Sequence, residues 1–369
     1  SLLMDGKKVG ITSNSHSAIM NVMHACFDEG GDRFPAIKAG GDRNEPLYEK
    51  WRDLKFVGQG TNAASEYEQG LIGGTAWLFA NPLMEQKLDY LFVDEAGQVS
   101  IANLVGMSRS TNNIVLIGDQ MQLGQPSGGS HPGKTGTSLL DYLLGDHAVV
   151  PSHLGVFLRE TRRMHPQICD FISRTIYQGR LANHSSTLRR VIKHDAANTS
   201  RIHTEAGIVF VPVHHSGNTQ CSTEEVDVIT ELSKELVGRT HHGRDGSVIG
   251  PISIQDILYV APYNMQVKRL REQLPDGARV GSVDKFQGQE APIVIVSLCS
   301  SAGEFGERGV DFVLNRNRLN VAISRAQSLT IVVGDPNIAH ASVNNLKEIE
   351  AINLFCRIVA VSTQQEVKW

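Results

Sequence analysis

This sequence of 369 residues contains few cysteines, no long apolar run and no large excess of acidic over basic residues. The five cysteines are scattered and never form a Cys-x-x-Cys pair. This argues against a zinc site or a disulfide framework and favours a reducing, cytoplasmic (intracellular) location. No apolar run approaches the roughly 20 residues that cross a bilayer, so we expect no membrane partner. The formal net charge is −4, and nucleic-acid binding would therefore depend on a local basic groove.

Apolar strand-like runs alternate with helical segments along the whole chain. Runs such as residues 293–299 are continuous rather than alternating, which is typical of parallel strands buried on both faces. We therefore predict the α/β class, with parallel sheets covered by helices on both faces. The chain is long for one core and its pattern breaks at residues 149–151, so two domains are predicted at 1–150 and 151–369. Residues 28–70 are polar, rich in glycine and weakly periodic, and we predict an insertion there with little chemistry of its own.

Polar side chains follow two apolar strands of the first half. Asp94 and Glu95 end one strand, and Gln122 follows the next strand, at residues 114–118. In phosphoryl transfer, such carboxylates hold Mg²⁺ and orient the attacking water, and an amide can contact the terminal phosphate. Each feature alone is equally compatible with a solvated turn or a hydrophilic loop.

Two arginines and a glycine-containing segment follow in the second half. Arg163 lies in the segment Arg-Arg-Met-His-Pro, which opens a helix, and Arg325 lies on a later helix. A guanidinium group matches phosphate geometry, although surface salt bridges are the simpler alternative for both arginines. Within residues 287–290, Gly288 lets backbone approach a ligand and Glu290 can bond a ribose hydroxyl.

These motifs, in this order and at these spacings, resemble those of superfamily-1 helicases of the Upf-like branch, which includes nuclease–helicase fusions. Arg162 stands where the family pattern has tyrosine, so an aromatic contribution to base stacking is not expected there. The matching segments are residues 94–98, 118–123, 162–166, 262–266, 283–290 and 319–326.

The resemblance implies two RecA-like domains that bind ATP and Mg²⁺ in the cleft between them. It implies an ATP-dependent helicase or translocase that moves 5′ to 3′ on single-stranded DNA or RNA, with DNA favoured. Asp94 would hold the metal, Glu95 would activate the water, and Gln122 would contact the γ-phosphate together with Arg163 and Arg325. Further nucleotide contacts are implied for Gln287, Gly288 and Glu290. Single-strand contacts are implied for Ser13, Asn14, Thr75, Pro262, Tyr263 and Ser282.

No glycine-rich phosphate loop precedes Asp94, where the order of motifs requires one. Residues 128–135 read Gly-Gly-Ser-His-Pro-Gly-Lys-Thr and match the loop pattern, but they do not follow their strand directly. We therefore predict a mobile loop in which Lys134 binds no phosphate. The true loop and further N-terminal domains are expected upstream of Ser1, so residues 1–369 alone would not hydrolyse ATP.

Two other functional classes stay open. One is a catalytically silent nucleic-acid-binding or interaction fragment, which is consistent with the missing phosphate loop. A P-loop kinase or GTPase that uses residues 128–135 is the third possibility, but it leaves Arg163, Glu290 and Arg325 without a role.

Overall fold

The computed structural model describes residues 1–31, 33–44, 47–125, 132–145, 147–194 and 201–363. The chain divides into two compact units, Ser1–His147 and Ala148–Trp369. None of the helices in these described ranges combines the length and the apolar character that a bilayer crossing needs.

Unit 1 is built on a parallel sheet of six strands in the order β3-β2-β4-β1-β5-β6. All four residues of β1 are buried, so this central strand is covered on both faces. Ser15 caps the first helix by accepting a hydrogen bond from the Ala18 N–H. The elements are β1 (Val9–Thr12), α1 (His16–Gly30), β2 (Ala36–Ala39), α2 (Leu47–Lys50), β3 (Leu54–Val57), α3 (Gly60–Glu66), β4 (Leu71–Gly73), α4 (Ala76–Phe79), β5 (Tyr90–Val93), α5 (Ile101–Met107), β6 (Ile114–Leu116) and α6 (Leu139–Leu144).

The prediction that residues 28–70 form an insertion is wrong, because β2 and β3 belong to the sheet. β2 pairs with both β3 and β4. The strand is only four residues long and carries a lysine, Lys38, at a fully buried position. The Lys38 ammonium donates to the carbonyls of Ala39 (3.1 Å) and Gly40 (2.7 Å) and lies 2.9 Å from His16 Nδ1. A charged residue in so short a strand interrupts the apolar run by which a buried strand is predicted from sequence.

Unit 2 is built on a parallel sheet of five strands in the order β10-β16-β15-β13-β14, accompanied by a three-stranded antiparallel sheet of β12-β11-β9 and a short parallel pair, β7–β8. In the five-stranded sheet, β10, β13, β15 and β16 are buried almost throughout. The elements are β7 (Glu160–Thr161), α7 (Pro166–Ile176), β8 (Ala182–Asn183), β9 (Ile192–Lys193), β10 (Gly207–Pro212), α8 (Thr223–Leu236), β11 (Thr240–His242), β12 (Val248–Pro251), β13 (Ile257–Val260), α9 (Asn264–Gln273), β14 (Arg279–Gly281), β15 (Ala291–Ser297), α10 (Val310–Val313), α11 (Arg316–Ser324), β16 (Ala326–Gly334) and α12 (Leu346–Thr363). The predicted α/β class with parallel sheets is confirmed.

Lys38→Met should destabilise unit 1 by about 1–3 kcal/mol, because methionine fills the space but leaves the Ala39 and Gly40 carbonyls without their donor. Urea denaturation gives the free energy of unfolding. Lys55→Met is the matched control on neighbouring β3, since Lys55 is 63% exposed and pairs with exposed Glu66. That control should cost less than about 1 kcal/mol. Equal small losses for both variants would mean that the hydrogen bonds of the Lys38 ammonium contribute little to the stability of unit 1.

Candidate functional site

Asp94 lies at the carboxyl edge of the sheet in unit 1, directly after β5. Its backbone N–H donates to the Thr12 carbonyl at the end of neighbouring β1 (2.8 Å), so the two strands end side by side. Burial raises the pKa of the Asp94 carboxyl, and a hydrogen bond from the Glu95 backbone offsets part of that rise. A partly buried carboxylate of this kind gains from a bound cation, which would lower its pKa again.

Glu95 adopts a left-handed backbone conformation, with φ 51° and ψ 42°. Side chains other than glycine rarely occupy this region, and it costs free energy wherever it occurs. The next residue, Ala96, donates its N–H to the Ile117 carbonyl (2.9 Å), which fixes the turn. The strain therefore lies at the residue for which the sequence predicts a role in activating water.

Two glycines bring the loops after β5 and β6 into direct contact. A Cβ on Gly118 would lie 2.8 Å from the Ala96 backbone nitrogen, and one on Gly97 would lie 2.9 Å from the Asp119 carbonyl oxygen. Both distances are shorter than Cβ atoms tolerate, so this approach requires glycine at each position. The loop that carries Glu95 and the loop that carries Gln122 are thereby held together.

Gln122 is positioned by Asp119, a residue to which the sequence motifs gave no role. The Gln122 amide donates to Asp119 Oδ2 (2.9 Å), and the Met121 N–H donates to Asp119 Oδ1 (2.9 Å). An aspartate that bonds the backbone two residues further on is a recognised turn signal. This signal could have indicated the role of Asp119 from the sequence. Asp94, Glu95 and Gln122 thus lie on adjoining loops of unit 1. Carboxylate oxygens such as those of Asp94 suit Mg²⁺, although the described residues contain no group of three or more His, Cys, Asp or Glu side chains arranged to hold a metal ion.

The predicted single-strand residues of unit 1 lie along the same edge. Asn14, after β1, donates its side-chain amide to the Gln98 carbonyl (2.6 Å), so it is tied to the segment that follows Asp94. Ser13 is buried at 3% exposure, whereas Asn14 is exposed. Thr75 occupies the N-cap position of α4, after β4.

In unit 2, Arg163 and Glu290 form an ion pair, with 2.7 Å between Nε and Oε2. The other carboxylate oxygen accepts from Gln327 Nε2 (2.7 Å), and Arg163 Nη1 donates to the Ser324 carbonyl (3.4 Å). Burial opposes ionisation of Glu290, but the hydrogen bond and charge of Arg163 outweigh it and lower the pKa. Glu290 is therefore an anion at neutral pH and holds Arg163 in place.

Arg325 lies beside this pair, at the end of α11. It is 3% exposed, and its guanidinium donates to the carbonyls of Val321 and Gln289 (3.3 Å each). Glu290 directly precedes β15 and Arg325 directly precedes β16, so both lie at the amino-terminal edge of the sheet. The structure thus brings together Arg163, Glu290 and Arg325. Gly288, close by in sequence, has a φ of 75° and belongs with Gln287 to the loop before β15.

Arg190 also belongs to this group, although no sequence motif includes it. The side chain is 6% exposed, and Nη1 donates to the Arg163 carbonyl (2.6 Å). Burial and the nearby cations Arg244 and Arg163 lower its pKa, while Glu290 raises it. Arg190 supports the main chain of Arg163, and only the folded structure reveals that contact.

The remaining predicted residues of unit 2 lie at the opposite, carboxyl edge, where Pro262 follows β13 and Ser282 follows β14. Tyr263 is 6% exposed, and its hydroxyl donates to the Phe305 carbonyl (3.1 Å). Its ring lies 5.2 Å from that of Phe312, on which two guanidinium groups stack. Those groups belong to Arg308 and Arg318.

Lys134 is exposed, and its ammonium lies 5.7 Å from the centre of the Tyr142 ring. The Thr135 hydroxyl donates to the Pro132 carbonyl (2.7 Å) and closes a turn. The next helix, α6, begins only at Leu139, so Thr135 does not open a helix as a phosphate loop requires. Residues 128–131 lie outside the described residues.

A family model described as "AAA domain" matches residues 135–337, which is more than half of the chain. The "Uncharacterized ATP-dependent helicase C05C10.2" of Caenorhabditis elegans is 32% identical over 250 residues, covering 66% of this chain and 15% of that protein. "ATP-dependent helicase upf1" of Schizosaccharomyces pombe is 27% identical over 268 residues, covering 69% of this chain and 27% of that protein. The chain therefore spans less than a third of the length of either relative.

Among solved structures, the crystal structure of Arterivirus nonstructural protein 10, a helicase, aligns with a TM-score of 0.46 and 16% identity, covering 91% of this chain and 56% of that one. The fold assignment itself rests on the strand pairing described above. The matching family model, the helicase relatives and the shared motifs agree, and the chain belongs to the AAA domain family and to the Upf1-like branch of the superfamily-1 helicases.

Proposed function

We propose that this helicase core uses ATP and Mg²⁺ to move along single-stranded nucleic acid, with units 1 and 2 as its two RecA-like domains. The observation that carries the proposal is the grouping of Arg163, Glu290 and Arg325 at one edge of unit 2. A buried arginine beside a second arginine that a carboxylate holds in place is an arrangement suited to a phosphoryl group. By family resemblance we further propose DNA as the strand and 5′ to 3′ as the direction.

The proposed chemistry assigns one task to each side chain. Asp94 holds the cation, and Mg²⁺ when bound supplies charge that offsets the negative β- and γ-oxygens. Glu95 orients the attacking water and takes its proton. Gln122, held by Asp119, bonds both the water and a terminal oxygen, while Arg163 and Arg325 neutralise the charge that develops on the transferring group.

Glu290 is proposed to contact the ribose while it keeps Arg163 in position. Its two oxygens accept from Arg163 and Gln327, and a carboxylate has about four acceptor positions, so a ribose hydroxyl can still bind. The low pKa of Glu290 keeps this anchor charged at neutral pH. Gln287 and Gly288 are proposed to complete the nucleotide contacts from the loop before β15.

A catalytically silent, nucleic-acid-binding fragment is the second proposed function. The observation that favours it is the lack of a glycine-rich loop before Asp94 in the sequence. Without a cradle of backbone N–H groups, the β- and γ-phosphates are not positioned for Gln122 or the arginines. Measured ATP binding and turnover by residues 1–369 separate the two functions.

In the intact protein, meaning this chain together with any upstream segment that carries a glycine-rich phosphate loop, Arg325→Ala should lower the ATPase rate by roughly 10³-fold or more, which is typical for loss of an arginine finger. The change in ATP affinity should be modest. Steady-state turnover and nucleotide titration measure the two quantities. Arg174→Ala is the matched control, since Arg174 is 74% exposed on α7 and pairs with Asp170. It should leave both quantities unchanged. Near-normal turnover of Arg325→Ala would reduce Arg325 to a structural contact of α11.

Glu95→Gln should keep ATP and single-strand affinity but lose turnover, because glutamine fits the strained turn and cannot take a proton from water. Equilibrium binding of both ligands and single-turnover hydrolysis would be measured on the intact protein. Full activity of the variant would remove the base from this position.

Lys134→Ala should have no effect on hydrolysis by the intact protein, because Lys134 lies in an exposed turn rather than at a helix start. Residues 1–369 alone should show no appreciable turnover. The opposite result, turnover by residues 1–369 that Lys134→Ala abolishes, would make residues 128–135 the phosphate loop and would favour the kinase or GTPase function.

A further inference from the structure

Trp77 exposes 84% of its surface, which is unusual for a side chain that contributes more apolar area than almost any other. Its neighbours on α4, Leu78 and Phe79, are buried. Trp51 shows the ordinary situation, since it is half-buried and stacks on Phe27 with 5.1 Å between ring centres. In the described part of the chain, no aromatic ring or cation stacks on the Trp77 indole.

The position of Trp77 in the fold suggests what covers it. α4 follows β4 after Gly74 and Thr75, and Trp77 lies in its first turn, close to the carboxyl edge of the sheet. β4 pairs with β1 on one side and with β2 on the other. The loop after β1 carries exposed Asn14, and the loop after β2 carries Gly40 and Gly41.

This part of the edge carries two glycines and short polar side chains, and the His16 ring packs against both glycines, 3.0 Å from the position of a Cβ on Gly40 and 3.1 Å from one on Gly41. Gly40 and Gly41 have φ values of 67° and 97°, a region that glycine adopts without strain. Asn14 and Thr75 are short and polar. Trp77, two residues after Thr75, adds a large, rigid and exposed apolar ring next to these short polar side chains.

We propose that Trp77 is a stacking platform for an unpaired base of a single-stranded nucleic acid bound along this edge. The inference rests on the proposed function, and it adds a residue that the sequence motifs did not include. The indole face offers every base a π surface, so the contact tolerates any sequence. Bases in a duplex are already stacked and paired, so Trp77 favours single strands over duplexes.

The test compares an oligothymidylate of about 20 nucleotides with an abasic oligodeoxyribose phosphate of the same length, each labelled with fluorescein. Trp77→Ala should weaken binding of the oligothymidylate roughly 5- to 100-fold, which corresponds to the worth of one base–aromatic stack. Binding of the abasic strand, which offers phosphates but no bases, should not change. Trp77→Phe should keep part of the affinity.

Intrinsic fluorescence supplies a second readout. Quenching by the oligothymidylate should be largely lost in Trp77→Phe and kept in Trp51→Phe, the matched control from the same unit. Because Trp77 is exposed, its variants should keep the wild-type urea midpoint, which shows that the fold is intact.

The outcomes separate this inference from the proposed function. If the wild-type chain binds oligothymidylate and Trp77→Ala binds it equally well, the stacking role is wrong and nucleic-acid binding stands. Equal weakening for the base-bearing and the abasic strand would also overturn stacking, because the contact would then be with the backbone. If the wild-type chain binds neither strand, the proposed function fails, and the stacking role of Trp77 fails with it.

Discussion

Parallel pairing of β1 with β4 and β5 is the constraint on which the arrangement of unit 1 depends. In the β1–β5 register, Thr12 lies opposite Val93, so the residues that follow each strand emerge at the same edge. Parallel neighbours must each return by a crossover, and the loops of one end are therefore free to carry chemistry. Asp94, Asn14 and Thr75 lie at this edge for that reason alone.

In unit 2 the same constraint separates two sets of residues instead of joining them. Glu290 and Arg325 precede their strands, whereas Pro262 and Ser282 follow theirs, so the two sets occupy opposite edges of one sheet. The segment from the end of β14 to the start of β15 connects these edges within about ten residues. It contains the short helix Val283–Phe286, whose Phe286 is buried, so the connection is anchored in the core.

The sequence predicts structure correctly where polar residues directly follow a long apolar strand. The strand before Asp94 and the α/β class could both be predicted, because burial on two faces leaves a continuous apolar signal. β2 could not be predicted, because it carries Lys38 at a buried position that normally holds an apolar residue. The Lys38 ammonium is tolerated there because it donates hydrogen bonds to nearby carbonyls. The Arg163–Glu290 pair joins positions 127 residues apart, and no local pattern predicts such a contact. Whether the site residues perform their assigned roles stays a prediction.

The left-handed backbone conformation of Glu95 creates a trade-off between the stability of this protein and its proposed activity. Glycine would relax the turn and remove a cost of about 1 kcal/mol or more, but it would also remove the carboxylate. Selection for thermal stability alone would therefore act against the residue that turnover is proposed to need. A stabilised variant for engineering should draw its gains from elsewhere, and should leave this strained turn as it is.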